Sequence, residues 1–431
     1  MQTDGARGEP AAPLDSTYRS LFSVAGLPTL ILATLASRIA TQMSSVLIVL
    51  YVLETRHSSQ LSGLVILCSQ FPGILVSPIA GALLDRGRKI PLMIVDYVVG
   101  AAAVSAIAAL ALAHALPDLA LLLIVSVASL TQPLSRVGGR ALFPVMVPRH
   151  LWDRSNAVDS GCFVVATVLG PAVAGVAVAV IGARAALVLP AVLLFVGALG
   201  LARVPAPPFH PLPHEQGLLA DAGAAIRYVF SNRVLRMLAG TMTVFNFAGG
   251  SLTVAIPVVV LRVLHGGSKA VGVMFAVMGA AGFLAGLVTG RVGTEGREKS
   301  MLAGSCMATA AALVVLALGF HHVAVVVLCI AVVGVSNGPL TVAMFSLRQR
   351  ATEPQWFGRA FAVSMNLNFA GNPIGSAIAG LLLAHSILVA FLAAAACALV
   401  GGIWPAVLPV GHYTPLVVTD GRSAGVGLLG E

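Results

Sequence analysis

Three ionisable residues lie inside long apolar stretches of the sequence: Arg38 in LASRIATQMSS, Asp96 in IVDYVVG and Asp159 in NAVDSG. Ionisable side chains are costly in a low-dielectric environment, so each is a candidate for function. A carboxyl group shielded from water tends to keep its proton near neutral pH, which suits proton exchange. We take Asp96 as the first candidate for carrying a proton, with Arg38 or Arg136 as its partner, and Asp159 as the second. The alternative is that these four residues form structural ion pairs.

The stretch GALLDRGRKIPL, residues 81–92, concentrates charge between two apolar runs, although charged residues make up only 10% of the chain. A carboxylate in such a turn can dock on the positive N-terminal end of a neighbouring helix. Basic side chains beside it can bind anionic lipid headgroups. We therefore predict a gating loop made of Gly81, Asp85, Arg86, Gly87, Arg88 and Lys89. The alternative is a basic loop that only fixes the topology.

The composition places these residues in a membrane. Of the 431 residues, 58% are hydrophobic and the mean hydropathy is +0.97, whereas a soluble domain carries about 25% charged residues. Apolar runs such as LALLLIVSVASL lack the alternation of a β-barrel strand, so helical spans are expected. The five cysteines lie in apolar runs without a CxxC pair, and no histidine has metal-ligand spacing. We expect no disulfide and no metal site.

About twenty apolar residues cross a bilayer as a helix, and the sequence contains twelve such stretches: about 27–53, 61–84, 90–113, 118–139, 156–180, 184–203, 236–262, 269–290, 300–320, 323–344, 358–383 and 387–409. A polar, proline-rich segment separates the sixth from the seventh. The predicted division is a cytoplasmic tail over 1–20, a six-helix bundle over 21–203, a cytoplasmic linker over 204–232, a second six-helix bundle over 233–410 and a cytoplasmic tail over 411–431.

The distribution of lysine and arginine predicts the orientation. If the N-terminus is cytoplasmic, twenty of the 25 basic residues fall on that side, four on the other and Arg38 inside a span. Positive residues collect in cytoplasmic loops. We therefore expect a multi-pass protein of the bacterial inner membrane with both termini in the cytoplasm.

The two halves of the chain repeat. GALLDRGRK follows the second span and GRVGTEGREK follows the eighth, with Gly81 and Gly290 offset by 209 residues. LGPAVAG in the fifth span is echoed by GNPIGSAIAG in the eleventh. Two parallel halves of six helices are the arrangement of carriers that rock around a site at the membrane midplane.

At this point the sequence resembles the major facilitator superfamily, over nearly its whole length. GALLDRGRK is similar to the family's loop motif G-x-L-x-D-R-x-G-R-K, with one residue missing before Gly87. RALFPVMVPRHLWDRSNAVDSGCFVVATVLGPAVAG and GRAFAVSMNLNFAGNPIGSAIAGLLL resemble segments of its drug-exporter branch, which includes macrolide efflux pumps and the enterobactin exporter. The resemblance implies an all-α membrane fold of about twelve helices in two pseudo-symmetric bundles. It also implies that Asp85 contacts the eleventh span.

The fifth span resembles the family's antiporter motif G-x8-G-x3-G-P-x2-G-G. Gly170, Pro171 and Gly175 match it, but alanine replaces glycine at three other positions, Ala157, Ala166 and Ala174. This departure weakens the inference of antiport and leaves a role in helix packing.

The resemblance further implies a substrate cavity lined by spans 1, 4, 7 and 10. Its candidate residues combine amides with apolar side chains: Gln42, Gln132, Phe245, Asn246, Asn337, Met365, Asn366 and Asn368. Such a pocket would suit a bulky lipophilic or amphipathic ligand. The alternative for each residue is packing against lipid or a neighbouring helix.

The function expected from these observations is secondary active efflux of a small molecule, coupled to the proton gradient and needing no other cofactor. Uptake or facilitated diffusion remains an alternative, as does a membrane sensor or enzyme that reuses the fold. The sequence lacks GxxxxGK[ST] and a nucleophile–base constellation, so we do not expect an enzyme. The expected partners are a small-molecule substrate and the lipid bilayer. Nucleic acid is not expected, and one chain containing both halves should work as a monomer.

Overall fold

The computed structural model describes residues 17–86, 88–205, 218–292, 294, 296–353 and 357–407. This part of the chain is helical and contains no strand. Its helices are α1 (Tyr18–Phe22), α2 (Leu27–Arg56), α3 (Ser59–Arg86), α4 (Lys89–Leu112), α5 (Asp118–Ser129), α6 (Gln132–Met146), α7 (Trp152–Ala186), α8 (Val188–Ala202), α9 (Leu218–Ser231), α10 (Arg233–Val258), α11 (Gly267–Val292), α12 (Glu298–Gly319), α13 (Val323–Ala351), α14 (Phe357–Leu383) and α15 (Ile387–Val407).

The helices occupy the predicted spans. Within the described residues, ten spans are long and apolar enough to cross a membrane, and α8 is a shorter apolar helix. The fourth predicted span is not one straight helix, because α5 and α6 are separated at Leu130 and Thr131. Pro133 lies in the first turn of α6, where proline is tolerated because that N–H has no helical partner. Within α7, Gly182 has a φ of 81° and is not helical; it lies between the fifth and sixth predicted spans.

The same packing pattern occurs twice along the chain. In the first half, α2 packs on α7 and α8, α3 packs on α5, and α4 packs on α8. In the second half, α10 packs on α14 and α15, α11 packs on α13, and α12 packs on α15. These equivalent contacts confirm the prediction of two pseudo-symmetric six-helix bundles, which we call the N-bundle (α2–α8) and the C-bundle (α10–α15). The predicted numerical boundaries stay predictions, and residues 1–16, 206–217 and 408–431 lie outside the described part.

The bundles have two distinct ends. We call the end with α1, the α3–α4 turn and α9 the basic face, because most of the lysine and arginine residues in the described part of the chain lie toward it. The other end, with the α2–α3 and α14–α15 connections, is the opposite face. Across the bundles, α3 packs on α14 and α7 packs on α11, while α9 contacts both α3 and α14. These two cross-bundle helix pairs are related by the internal repeat.

Candidate functional site

An ion pair joins two helices of the N-bundle. Arg38 on α2 places its Nη2 atom 2.5 Å from Oδ1 of Asp159 on α7, and its Nη1 donates to the Asp159 carbonyl oxygen at 2.9 Å. The two side chains are 20% and 11% exposed. Because α2 packs along α7, Arg38 pairs with Asp159 and not with Asp96, for which the sequence offered Arg38 or Arg136 as the partner.

Asp96 instead accepts hydrogen bonds from two hydroxyl groups at the break between α5 and α6. Thr131 donates to one carboxylate oxygen at 2.8 Å and Ser135 donates to the other. Asp96 is only 7% exposed. Arg136, the other expected partner, lies within electrostatic range of Asp96. The sequence analysis missed the two hydroxyl donors, although the polar run LTQPLSR inside an apolar span marks their position.

A tyrosine connects the two carboxylate sites. Tyr97, next to Asp96 on α4, is 1% exposed, and its hydroxyl group lies near Ser37, which precedes Arg38 on α2. Both carboxylates therefore belong to one polar cluster within apolar helices. We call it the N-bundle polar cluster, and its members are Ser37, Arg38, Asp96, Tyr97, Thr131, Ser135 and Asp159.

Arg136 reaches from this cluster toward the C-bundle. Its side chain is exposed, and its guanidinium carbon lies 5.9 Å from the ring centroid of Phe369 on α14. A charged side chain at membrane depth is tolerated where it faces a water-filled space. We call the region where Arg136 of α6 meets Phe369 of α14 the central cleft, and we take it as the candidate substrate pathway. Phe369 was not among the residues predicted from the sequence.

The predicted cavity residues fall into two groups. Gln42 and Asn366 are half-buried and Asn337 is exposed, and their contact with substrate stays a prediction. Gln132 is half-buried, and its Nε2 donates to the Ser69 carbonyl oxygen at 3.1 Å. The second group lies in helix packing: Phe245, Asn246, Met365 and Asn368.

The packed group belongs to the α10–α14 interface and its surroundings. Asn246 Nδ2 donates to the Asn368 carbonyl oxygen at 3.0 Å, and Phe245 and Met365 are 7% and 8% exposed. Asn368 is 1% exposed. With its amide oriented to satisfy the network, its oxygen accepts from Arg348 and its nitrogen donates to Ser364 O at 3.0 Å. This burial does not support the predicted contact between Asn368 and substrate.

Glycine pairs bring the bundles into direct backbone contact toward the opposite face. A Cβ atom on Gly380 would lie 2.6 Å from Ser59 O and 3.0 Å from the Cα of Gly63. A Cβ atom on Gly175 would lie 2.7 Å from the Cα of Gly272. Gly272 follows Gly63 by 209 residues, the offset of the internal repeat.

The antiporter-like motif therefore lies at packing contacts. Gly175 meets α11 of the C-bundle, and a Cβ on Gly170 would lie 2.6 Å from the Cβ of Gln42 on α2. Pro171 lies inside α7 between them. Glycine at these positions permits close helix approach.

Two polar links accompany the glycine contacts at the opposite face. Ser268 Oγ at the start of α11 donates to Glu54 Oε1 at 2.5 Å. Arg262 Nη2 donates to the His57 carbonyl oxygen at 2.5 Å. Each link joins the N-bundle to the C-bundle, and the sequence gave no signal for either.

The predicted gating loop is only partly described. Gly81 has no atom within 4 Å of a Cβ built on it, Arg88 is exposed and Lys89 is half-buried. Gly87 and the side chains of Asp85 and Arg86 lie outside the described part. The packing of α3 on α14 places the loop's helix beside the expected partner helix, and the contact of Asp85 with that helix stays a prediction.

These features define a class of protein: a helical membrane protein with two repeated bundles, closed at one face by paired contacts and carrying a polar cluster beside the cleft. The family model of the Major Facilitator Superfamily matches residues 30–367. The chain belongs to this superfamily, which confirms the resemblance noted in the sequence.

The relatives and structural neighbours agree. The chain is 34% identical over 383 residues to an uncharacterized MFS-type transporter, y4rN, of Sinorhizobium fredii, covering 88% of this chain and 93% of that one. It is 26% identical to the multidrug efflux pump Tap of Mycobacterium tuberculosis, covering 81% and 85%. The fold is similar to the nucleoside transporter NupG (TM-score 0.71, 12% identity, 88% and 98% covered). It is also similar to a bacterial ferroportin homologue in the inward-facing state (TM-score 0.70, 16% identity, 88% and 97% covered).

Proposed function

We propose that this protein exports a lipophilic or amphipathic small molecule across the bacterial inner membrane in exchange for protons. Both termini and the basic face would lie in the cytoplasm, in keeping with the charge distribution. The cleft would open alternately to the two faces. Each chain contains both bundles, so it would work as a monomer in the lipid bilayer.

The observation that carries the proposal is the unequal contact between the bundles at their two ends. Toward the opposite face, glycine pairs and two polar links join them. Toward the basic face, a Cβ on Gly81, Gly161 or Gly290 would have no neighbour within 4 Å among the described residues. A conformation closed at one face and looser at the other supports transport by rocking of the bundles. In the proposed orientation it would receive substrate from the cytoplasm.

The N-bundle polar cluster supports proton coupling through Asp96. The carboxylate accepts hydrogen bonds from Thr131, at the α5–α6 break, and from Ser135, in the first turn of α6 after the break. A proton on Asp96 would remove the charge that strengthens both hydrogen bonds. Ser135 is followed by Arg136, which contacts Phe369 of the C-bundle. Protonation would thus alter a helix break next to a cross-bundle contact.

The direction of transport is proposed from the efflux pump among the relatives. Uptake or facilitated diffusion is the second candidate, because both carboxylates of the cluster are already engaged by protein groups. Asp159 is paired with Arg38, an arrangement that fits a structural ion pair as well as a coupling site.

Accumulation of the neutral lipophilic dye Nile red tests the proposal. Cells that express the protein should accumulate less dye than cells without it, and a protonophore should abolish the difference. Asp96→Asn should remove the protonophore-sensitive part. Asp118→Asn is the matched control, because Asp118 pairs with Arg56 and is 54% exposed at the opposite face. Raised accumulation would favour uptake, and efflux by Asp96→Asn that still depends on the proton gradient would exclude coupling through Asp96.

A further inference from the structure

Two short helices stand at equivalent places in the internal repeat. α1 lies directly before α2, the first span of the N-bundle, and α9 lies directly before α10, the first span of the C-bundle. Their sequences match at an offset of 208 residues: YRSLFS (18–23) and IRYVFS (226–231) share an arginine, a phenylalanine and a serine. α1 packs on α2 and α7, and α9 packs on the equivalent helices α10 and α14. The repeat therefore includes a segment that lies outside both bundles.

One side of each short helix is fixed to its bundle by a buried aliphatic residue. Leu21 in α1 and Val229 in α9, which are equivalent in the repeat, are both 0% exposed. Each belongs to a hydrophobic cluster of its own bundle. On the C-bundle side, Asn232 at the end of α9 also donates from Nδ2 to the Ala351 carbonyl oxygen at 2.9 Å. These contacts fix how each helix is rotated about its axis.

Another side of each helix presents two large apolar residues one turn apart. Tyr18 and Phe22 of α1 are 49% and 47% exposed, and Ile226 and Phe230 of α9 are 39% and 48% exposed. Residues four apart lie on the same face of a helix. The two helices thus share a buried side and an exposed apolar side, in addition to the matching sequence.

The position of these helices places their exposed apolar sides at the surface of the bilayer. Each helix stands at the beginning of a span, on the basic face. Aromatic residues collect at this level of membrane proteins, where apolar chains meet polar headgroups. An amphipathic helix that lies in this boundary buries its apolar face by about 5–10 Å.

An arginine accompanies each exposed apolar pair. Arg19 and Arg227 are equivalent in the repeat, and both are exposed. A guanidinium group binds phosphate groups. Its methylene stem can lie along an apolar surface while its charged end reaches the headgroups. Arg233 and Arg236 in the first turn of α10 are exposed as well.

We propose that α1 and α9 are two repeat-related anchors that dock on the phospholipid leaflet at the basic face. The exposed apolar pairs enter the boundary between headgroups and acyl chains, and the arginine in each helix reaches a lipid phosphate group. Each bundle is thereby attached to the leaflet close to the start of its first span. This surface lies apart from the central cleft, so the inference does not depend on the proposed transport function.

The depth of a fluorescent label tests the anchors. After replacement of the five native cysteines, NBD is attached to Phe22→Cys or Phe230→Cys, and the full-length protein is placed in lipid nanodiscs. Ser23→Cys and Ser231→Cys are the matched controls, because both serines are exposed and one residue further along a helix turns the label by about 100°. Lipids with a doxyl group near the headgroup should quench the labels at 22 and 230 several-fold more than those at the serines. Iodide in the water should show the reverse order.

Two outcomes would overturn the proposal. If iodide quenches the labels at 22 and 230 as strongly as the labels at the serines, the apolar sides face water or a protein partner. If only one of the two positions is quenched by lipid, the anchors are not equivalent. Arg227→Gln should weaken lipid quenching at position 230, and Arg227→Lys should keep most of it because lysine also binds phosphate; equal quenching in both variants and the unsubstituted arginine would contradict the contact with phosphate.

Discussion

Replacing Gly380 with alanine should open the opposite face. The new Cβ would lie 2.6 Å from Ser59 O and 3.0 Å from the Cα of Gly63, whereas ordinary contact begins at 3.4 Å. The two backbones would have to separate by about 0.8 Å to relieve the closer contact. Overpacking of this kind costs about 1–3 kcal/mol, and only in the conformation in which α3 and α14 touch. The ratio of closed to open opposite face should therefore fall about 5- to 150-fold.

Distance measurements between spin labels can detect this shift. Gln60 on α3 and His385 after α14 are exposed at the opposite face on different bundles, so cysteines at these two positions can carry the labels. The five native cysteines would first be replaced. The distance distribution of Gly380→Ala should gain a longer component that is minor in the unsubstituted protein.

Gly290→Ala provides the matched control. Gly290 lies near the C-terminal end of α11, as Gly380 lies near that of α14, so both substitutions raise helix propensity by about 1 kcal/mol. A Cβ on Gly290 has no neighbour within 4 Å among the described residues. The distance distribution of the Gly290→Ala variant should therefore match that of the unsubstituted protein. The reasoning is refuted if Gly380→Ala leaves the distribution unchanged, or if Gly290→Ala shifts it equally.

Further substitutions test three other contacts. Asp159→Asn should lower the free energy of unfolding by about 1–3 kcal/mol, and adding Arg38→Gln to that variant should lower it little further. A double-mutant cycle measured by thermal unfolding should therefore show strong coupling between the two residues. Additive effects would contradict the ion pair. Asn368→Leu should cost about 2 kcal/mol, because the buried Arg348 loses a hydrogen-bond acceptor, and an unchanged melting temperature would contradict this contact. Ser268→Ala should lengthen the distance between the spin labels at positions 60 and 385 less than Gly380→Ala does, because one hydrogen bond is worth about 1 kcal/mol. A larger effect than that of Gly380→Ala would mean that the polar links contribute most to closing the opposite face.

The fold was predictable because a membrane leaves the backbone few choices. Every N–H and C=O group in the bilayer core must be paired within the chain, so long apolar runs can only become helices. The repeat of GALLDRGRK then predicted two bundles. The break at Leu130 and Thr131 was missed because the hydropathy of a twenty-residue stretch averages over a single turn, although the TQP sequence marks the position.

The ionisable residues of the candidate site were predictable from the sequence, but which of them pair with each other was not. Asp96, Asp159 and Arg38 stand out because ionisable residues are rare in apolar runs. Their pairing depends on which helices are neighbours and how each is rotated, and spacing along the chain does not contain that information. Phe369 was missed because a phenylalanine that faces a cleft has the same sequence context as one that faces lipid.

The two bundles share the internal repeat in their glycine contacts but not in the placement of their buried charges. The glycine contacts at the opposite face obey it, since Gly63 and Gly272 are equivalent and each meets a glycine of the other bundle. The charges do not: the N-bundle places its polar cluster beside the cleft, whereas the C-bundle encloses Arg348 completely, against Met365 and Asn368. A fully enclosed cation cannot exchange protons with water or meet a ligand without unpacking its bundle. The proposed coupling chemistry therefore belongs to the N-bundle, and a change there would reach the C-bundle through surfaces that the bundles share.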